Sequence, residues 1–146
     1  MREPTAVNAY LLLRSASRLC ALPLSCIVEI MRPLPIRPVQ GAPVFVTGLA
    51  VIRGRAIPVV DLRVLLGSLG PTRPERFVAL RVGPRRLALA VDHVLGVRSL
   101  PAGAFHALPP LFGGPEAPVI ASVGALDSDL LVLLQASRLL PEEVPA

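Results

Sequence analysis

Apolar residues in this chain come in short blocks cut by small, turn-forming or charged residues. Tyr10 to Ile30, YLLLRSASRLCALPLSCIVEI, holds two such blocks parted by Ser15-Ala16-Ser17. Apolar runs this short, bounded by turn formers, predict strands, and two joined by so brief a break predict a hairpin. The layout returns at Phe77 to Val97, FVALRVGPRRLALAVDHVLGV, with Gly83-Pro84 at the break. Laid over each other, 67 residues apart, Leu13-Arg14 falls on Leu80-Arg81. Leu22 and Leu24 fall on Leu89 and Val91, Ile27 on Val94, and Ile30 on Val97.

A second pair repeats 74 residues apart, where Ala50 matches Gly124. Ile52 faces Leu126, and the tip Arg53-Gly54-Arg55 faces Asp127-Ser128-Asp129. Ile57, Val59 and Val60 face Leu131, Leu133 and Leu134, and both copies close on a leucine pair. Each copy predicts a hairpin running into a short helical turn. Asp61 is a good N-cap and Gly67 a good stop for the first turn, and Pro141 ends the second. The order is hairpin, link, hairpin, helical turn, done twice in one domain spanning 1–146. The first β half runs over about 8–67, a joint over about 67–75, the second half over about 76–140 and a tail over 141–146.

The links differ. In LSCIVEIMR, Ser25 can cap a short helix with Ile27, Ile30 and Met31 on one face. In VDHVLGVRS, Gly96 is poor in a helix, so a kinked strand is predicted. Many short strands with regular turns argue for small barrels or a sandwich over a parallel α/β sheet. Halves of about 65 residues stand alone only marginally, so their apolar faces are expected to meet in a shared core with a groove between them.

At the tip, Gly54 supplies the positive φ that a tight reversal needs. Pro58 belongs at an edge or beside a bulge, because it cannot donate to a ladder. Arginines at a solvent-exposed hairpin end need no function to explain them.

Composition adds limits. The chain of 146 residues is 53% apolar, too much for a disordered chain, and only 3% aromatic, so its core is aliphatic. Its net charge is +5, and all 15 basic residues are arginine. A small basic β-barrel that binds nucleic acid is one function class this permits. The arginines are scattered, however, and stacking aromatics are nearly absent, so nucleic acid is not the favoured partner. No apolar run reaches the ~18 residues of a membrane span, and the first residues lack a signal peptide's apolar stretch. A cytoplasmic protein is expected. Cys20 and Cys26, with no histidine nearby, predict free thiols in a reducing compartment.

The chemistry of catalysis is missing. Asp92 and His93 are neighbours on a predicted strand and point to opposite faces. His106 lies in a proline-rich loop without a nucleophile to serve. FGGPE lacks the lysine and the strand–loop–helix context of a phosphate loop. No catalytic residue, metal ligand or cofactor is expected.

GLAVIRGRAIPVVDLRVLLG resembles the signature of CheW-type chemotaxis coupling proteins, where an Asn-Leu-Arg-Gly turn precedes apolar-Pro-apolar-apolar-Asp-Leu-Arg. ALPLSCIVEIM, LALAVDHVLGVRSLP and SVGALDSDLLVLLQASRLL resemble three further segments of that family, in order, from about Tyr10 to Leu140. The resemblance implies a mainly β fold of two pseudo-repeated, SH3-like barrels around a common aliphatic core, with short helical turns. It implies a non-enzymatic adaptor between the cytoplasmic tips of chemoreceptors and the regulatory domain of a CheA-type histidine kinase, at membrane receptor arrays but not inserted in the membrane. Arg53 and Gly54 take the place of the family's receptor-binding turn, and Glu29, Ile27 and Gly48 fall on other positions tied to the same groove. Asp127 and Asp129 are candidates for contact with the kinase. The chain departs from the family at Val51-Ile52, which replaces Asn-Leu, and at Gln135 in the closing hairpin. Those departures bear on which receptor and which chemosensory pathway it serves.

Overall fold

The computed structural model describes residues 7–68, 73–107 and 119–140. The alternating apolar blocks form eleven strands there. They are β1 (Val7–Ser15), β2 (Arg18–Pro23), β3 (Ile27–Met31), β4 (Val46–Ile52), β5 (Arg55–Asp61), β6 (Arg76–Val82), β7 (Arg85–Val91), β8 (His93–Pro101), β9 (Phe105–His106), β10 (Ile120–Leu126) and β11 (Asp129–Leu134). One α-helical turn, α1 (Leu62–Leu65), follows β5, and a 3₁₀ turn at Ala136–Arg138 follows β11. The Asp61 Oδ1 accepts the Arg63 N–H at 2.9 Å and the Val64 N–H at 3.4 Å, so it caps α1. Gly67, with φ at 89°, takes the chain out of that turn. Pro141 lies outside the described residues.

The strands make two sheets, ordered β8-β1-β2-β11-β10-β9 and β3-β6-β7-β5-β4. The two sheets are not the two halves of the sequence. Each half sends its opening hairpin into one sheet and its link strand and second hairpin into the other. Two parallel pairings seal the exchange, and they correspond: Val59 sits opposite Ala88 between β5 and β7, and Leu133 opposite Ala21 between β11 and β2. The bulges correspond as well, between Val46 and Gly48 in one half and Ile120 and Ser122 in the other. Pro58 lies opposite Leu49, beside the first bulge and one residue before pairing to β7 begins.

Side-chain alternation along the central strands sorts the core into three parts. Leu11, Leu13, Cys20 and Leu22 from one sheet meet Val78, Leu80, Leu87, Leu89 and Val91 from the other in a shared aliphatic core. The intervening residues turn the other way, into each barrel. Ala50, Ile52, Ile57, Val59, Phe77, Ala88 and Ala90 fill one barrel. Tyr10, Leu12, Leu19, Ala21 and Leu131 fill the other. Both opening aromatics thus face a barrel interior, where Tyr10 meets the Phe105 ring edge-on at 5.2 Å.

One expectation gives way. The helix predicted from Ser25 is only a 3₁₀ turn over Leu24–Cys26, and the rest is strand β3. Ile27, Ile30 and Met31 do fit a helical spacing, but five residues beside the open edge of β6 gain a full ladder as a strand. Leu24 is consequently exposed, unlike Val91, its counterpart in the sequence alignment. The kinked strand at Gly96 is present, with φ at 125°. The Asp92 Oδ2 accepts the Ala16 N–H at 2.7 Å and lies 3.8 Å from Arg63, so it pins the β1–β2 turn beside α1.

Candidate functional site

The β4–β5 reversal places Arg53 and Gly54 at φ values of 53° and 77°. Positive φ at both central residues is the I′ turn, whose twist matches that of the flanking strands. The Arg53 side chain, 77% exposed, reaches across to β3. Its Nε donates to Glu29 Oε2 at 3.0 Å and its Nη2 to Oε1 at 3.1 Å. Two parallel charge-assisted bonds fix both side chains in orientation. The hydrogen bond from Arg53 holds the Glu29 carboxyl below its ordinary range, and the same bond raises the guanidinium.

Beneath this pair lies a depression of about 400 Å³ at the open end of the β3–β7 barrel. Ile52, Ile57, Ala79, Leu80 and Leu87 form its apolar floor, and Val28, Glu29, Arg53, Arg55 and Arg86 stand around it. The expected groove between the two halves is therefore a barrel mouth. It draws on both halves of the sequence because the hairpins are exchanged, yet it belongs to one sheet.

The structure brings together Arg53, Gly54 and Glu29, but not the other two residues placed with them. Ile27 begins β3, pairs with Leu80 and packs on the shared core. Gly48 is buried at the far end of β4 with φ at 150°, where a Cβ would overlap the Arg37 carbonyl. Its glycine serves the close approach of the 32–45 link, which bridges to β4 from Arg37 to Leu49. Asp127 and Asp129 lie at the mouth of the other barrel, a second depression of about 260 Å³ shared with Leu12, Leu19 and Leu126. There Arg14 approaches Asp129 at 3.7 Å. Sequence reasoning missed Arg86. Its signal was the Gly83-Pro84 turn, which sets Arg81 opposite Arg86 on β6 and β7.

Elsewhere the polar side chains serve the fold. The exposed His93 pairs with Glu75 at 3.0 Å. Burial pushes the Cys20 thiol up to about 12, and it raises the half-buried Cys26 thiol, which donates to the Pro23 carbonyl. Among the described residues no helix is long and apolar enough to cross a membrane, and no cluster of potential metal ligands is present.

With this geometry in view, comparisons with known proteins agree with one another. The sequence model of the family described as CheW-like domain matches residues 9–144. A chemotaxis protein CheW of Klebsiella aerogenes is 30% identical over 107 residues, 72% of this chain and 64% of that protein. The protein PilI of Pseudomonas aeruginosa is 33% identical over 101 residues, 67% of this chain and 57% of its own length. The matched region thus spans less than two thirds of either relative. The crystal structure of the scaffolding protein TtCheW from Thermoanaerobacter tengcongensis superimposes with a TM-score of 0.79 at 20% identity, over 89% of this chain and 90% of that one. The shared architecture is that of two SH3-like barrels.

Proposed function

The chain belongs to the CheW-like domain family, and from that premise we propose that it is a non-enzymatic adaptor of a chemosensory pathway. In this reading it holds the helical cytoplasmic tip of a chemoreceptor at one place and the regulatory domain of a CheA-type histidine kinase at another. The observation that carries it is the Arg53–Glu29 pair standing over an apolar floor at a barrel mouth. An apolar depression offers anchorage to a helix face, and an oriented charged rim sets its register. Names among the relatives, chemotaxis protein CheW and the scaffolding protein TtCheW, point the same way.

Arg53, Gly54 and Glu29 are assigned to the receptor, while Ile27, packed on the shared core, and Gly48, set against the Arg37 backbone, serve the strands that carry the site. The second mouth, carrying Asp127 and Asp129, is assigned to the kinase domain. Its separate location and its acidic hairpin tip, set beside Arg14 and Arg98, support two partners held at once. Binding of nucleic acid has less behind it, since Tyr10 and Phe77, which could stack on bases, are buried. The test is a pull-down with a receptor cytoplasmic fragment and with the kinase regulatory domain. Arg53→Glu is expected to lose the receptor and keep the kinase. Retention of receptor at the wild-type level would remove Arg53 from this role.

A further inference from the structure

We infer that the Arg53 mouth is built for an acidic peptide segment, an aliphatic anchor flanked by carboxylates that Arg55 and Arg86 receive. The inference rests on the docking reading above and names the chemistry of what docks.

Arg86 on β7 stands directly opposite Arg81 on β6, on the face whose deeper positions Ala79, Ala88, Phe77 and Ala90 line the barrel interior. Like charges directly across a strand pair destabilise it. Arg55 adds a third guanidinium at the same mouth. Arg53 is already engaged by Glu29, the one carboxylate among the described residues lining the depression. Arg55 and Arg86 therefore keep uncompensated positive charge around an apolar floor, with Arg81 directly across the strand pair from Arg86.

The molecule contains its own control. In the other barrel, Arg14 occupies the place of Arg81, and the residue at the place of Arg55 is Asp129, 3.7 Å away. Leu19 stands where Arg86 does, and Asp127 where Arg53 does. The fold thus admits an internal acid at this position and an aliphatic side chain beside it. At the Arg53 mouth it has arginine at both places. A patch that weakens its own hairpin is one that a complementary ligand relieves. Charge complementarity selects carboxylates, and the floor of Ile52, Ile57 and Leu80 selects an aliphatic anchor beside them.

The experiment uses the full chain and a fluorescent peptide of about 15 residues, long enough for a helical turn or two on binding, made of leucine and glutamate in amphipathic order. A leucine–glutamine peptide and a single-stranded oligonucleotide of equal charge serve as the other probes. The leucine–glutamate peptide should bind about tenfold more tightly than its glutamine counterpart, as a charged rim allows. Arg86→Gln and Arg55→Gln should each weaken it about three- to tenfold, with Arg86→Lys retaining part of the affinity. Arg86→Gln should also hold the melting temperature or raise it by about 1–3 °C, because a like-charge pair is relieved. Equal affinity for both peptides, indifference to both substitutions, or equally tight arginine-dependent binding of the oligonucleotide would each overturn the inference. Should the acidic peptide fail while Arg53→Glu still abolishes capture of the receptor fragment, acid recognition is wrong and the docking reading stands. Should Arg53→Glu also leave capture intact, the docking reading falls with it.

Discussion

Arg53 and Asp127 occupy corresponding positions on two hairpin tips, with φ values of 53° and 55°, and carry opposite charge. A duplicated unit has kept its backbone at this point and inverted its chemistry. Arg53 finds its carboxylate on β3, in Glu29. At the counterpart of Glu29 stands Gly96, so Asp127 meets no equivalent side chain from β8.

Because Glu29 orients Arg53 through two bonds, the two should act on a partner as a unit. Glu29→Gln and Arg53→Ala are each expected to weaken receptor-fragment binding, and the double variant should lose clearly less than both losses added together. The pairing also sets a pH window. The folded-state carboxyl of Glu29 is lowered from its ordinary 4.5. Its contribution is therefore fully present above that ordinary value and lost as pH falls through the lowered one. Titration of Glu29 by carboxyl-carbon NMR checks the direction.

Two glycines on β4 and its turn should respond differently to alanine. At Gly54 a Cβ meets open space, so Gly54→Ala costs only the left-handed strain of about 1–2 kcal/mol. At Gly48 the added carbon overlaps the Arg37 backbone, and the link must move. Gly48→Ala should cost more than about 3 kcal/mol, within the class of severe substitutions. Urea denaturation of both variants decides it, and equal losses would contradict the packing described for the 32–45 link.

Cys20 should show itself in alkali. Its thiol ordinarily ionises near 9.0 and is pushed up to about 12 by burial in the shared core. The unfolded chain then releases this proton first. Stability from this group is complete below pH 9 and falls as pH rises toward the folded value, by about 1.4 kcal/mol per pH unit. Denaturation midpoints between pH 8 and 11 should fall less steeply in Cys20→Val made on a Cys26→Ala background than in the Cys26→Ala parent.

Exchange of hairpins between sheets predicts that neither half folds alone. Fragments cut in the joint should each lack cooperative unfolding, because each sheet needs strands from both. Mixed together, they should regain the β-sheet circular dichroism of the intact chain. A cooperatively folded first half would contradict the topology.

Hairpin positions, the two repeat offsets, the Asp61 cap and the Gly67 stop were legible in the sequence because each depends on local spacing. The partition into sheets was not. Parallel pairing of Val59 with Ala88 joins residues far apart and leaves no turn to mark it. β3 was misread because Ile27, Ile30 and Met31 fit a helical spacing, and only the free edge of β6 makes the segment a strand, which leaves Ile30 exposed. At the site, Arg53 and Gly54 announced themselves as a turn. Glu29 was placed beside them by family resemblance alone, since nothing local links residues 24 apart in sequence. Gly48 was grouped with them, although its burial and its close approach to Arg37 give it a structural task.

One binding experiment reaches furthest. Sedimentation of the intact chain with a receptor fragment and the kinase regulatory domain should give a single complex containing all three. Arg53→Glu should then release only the receptor fragment, and Asp127→Arg with Asp129→Arg only the kinase domain. Mutual exclusion of the two partners, or release of both by either set of substitutions, would mean that the two barrel mouths are not separate docking sites.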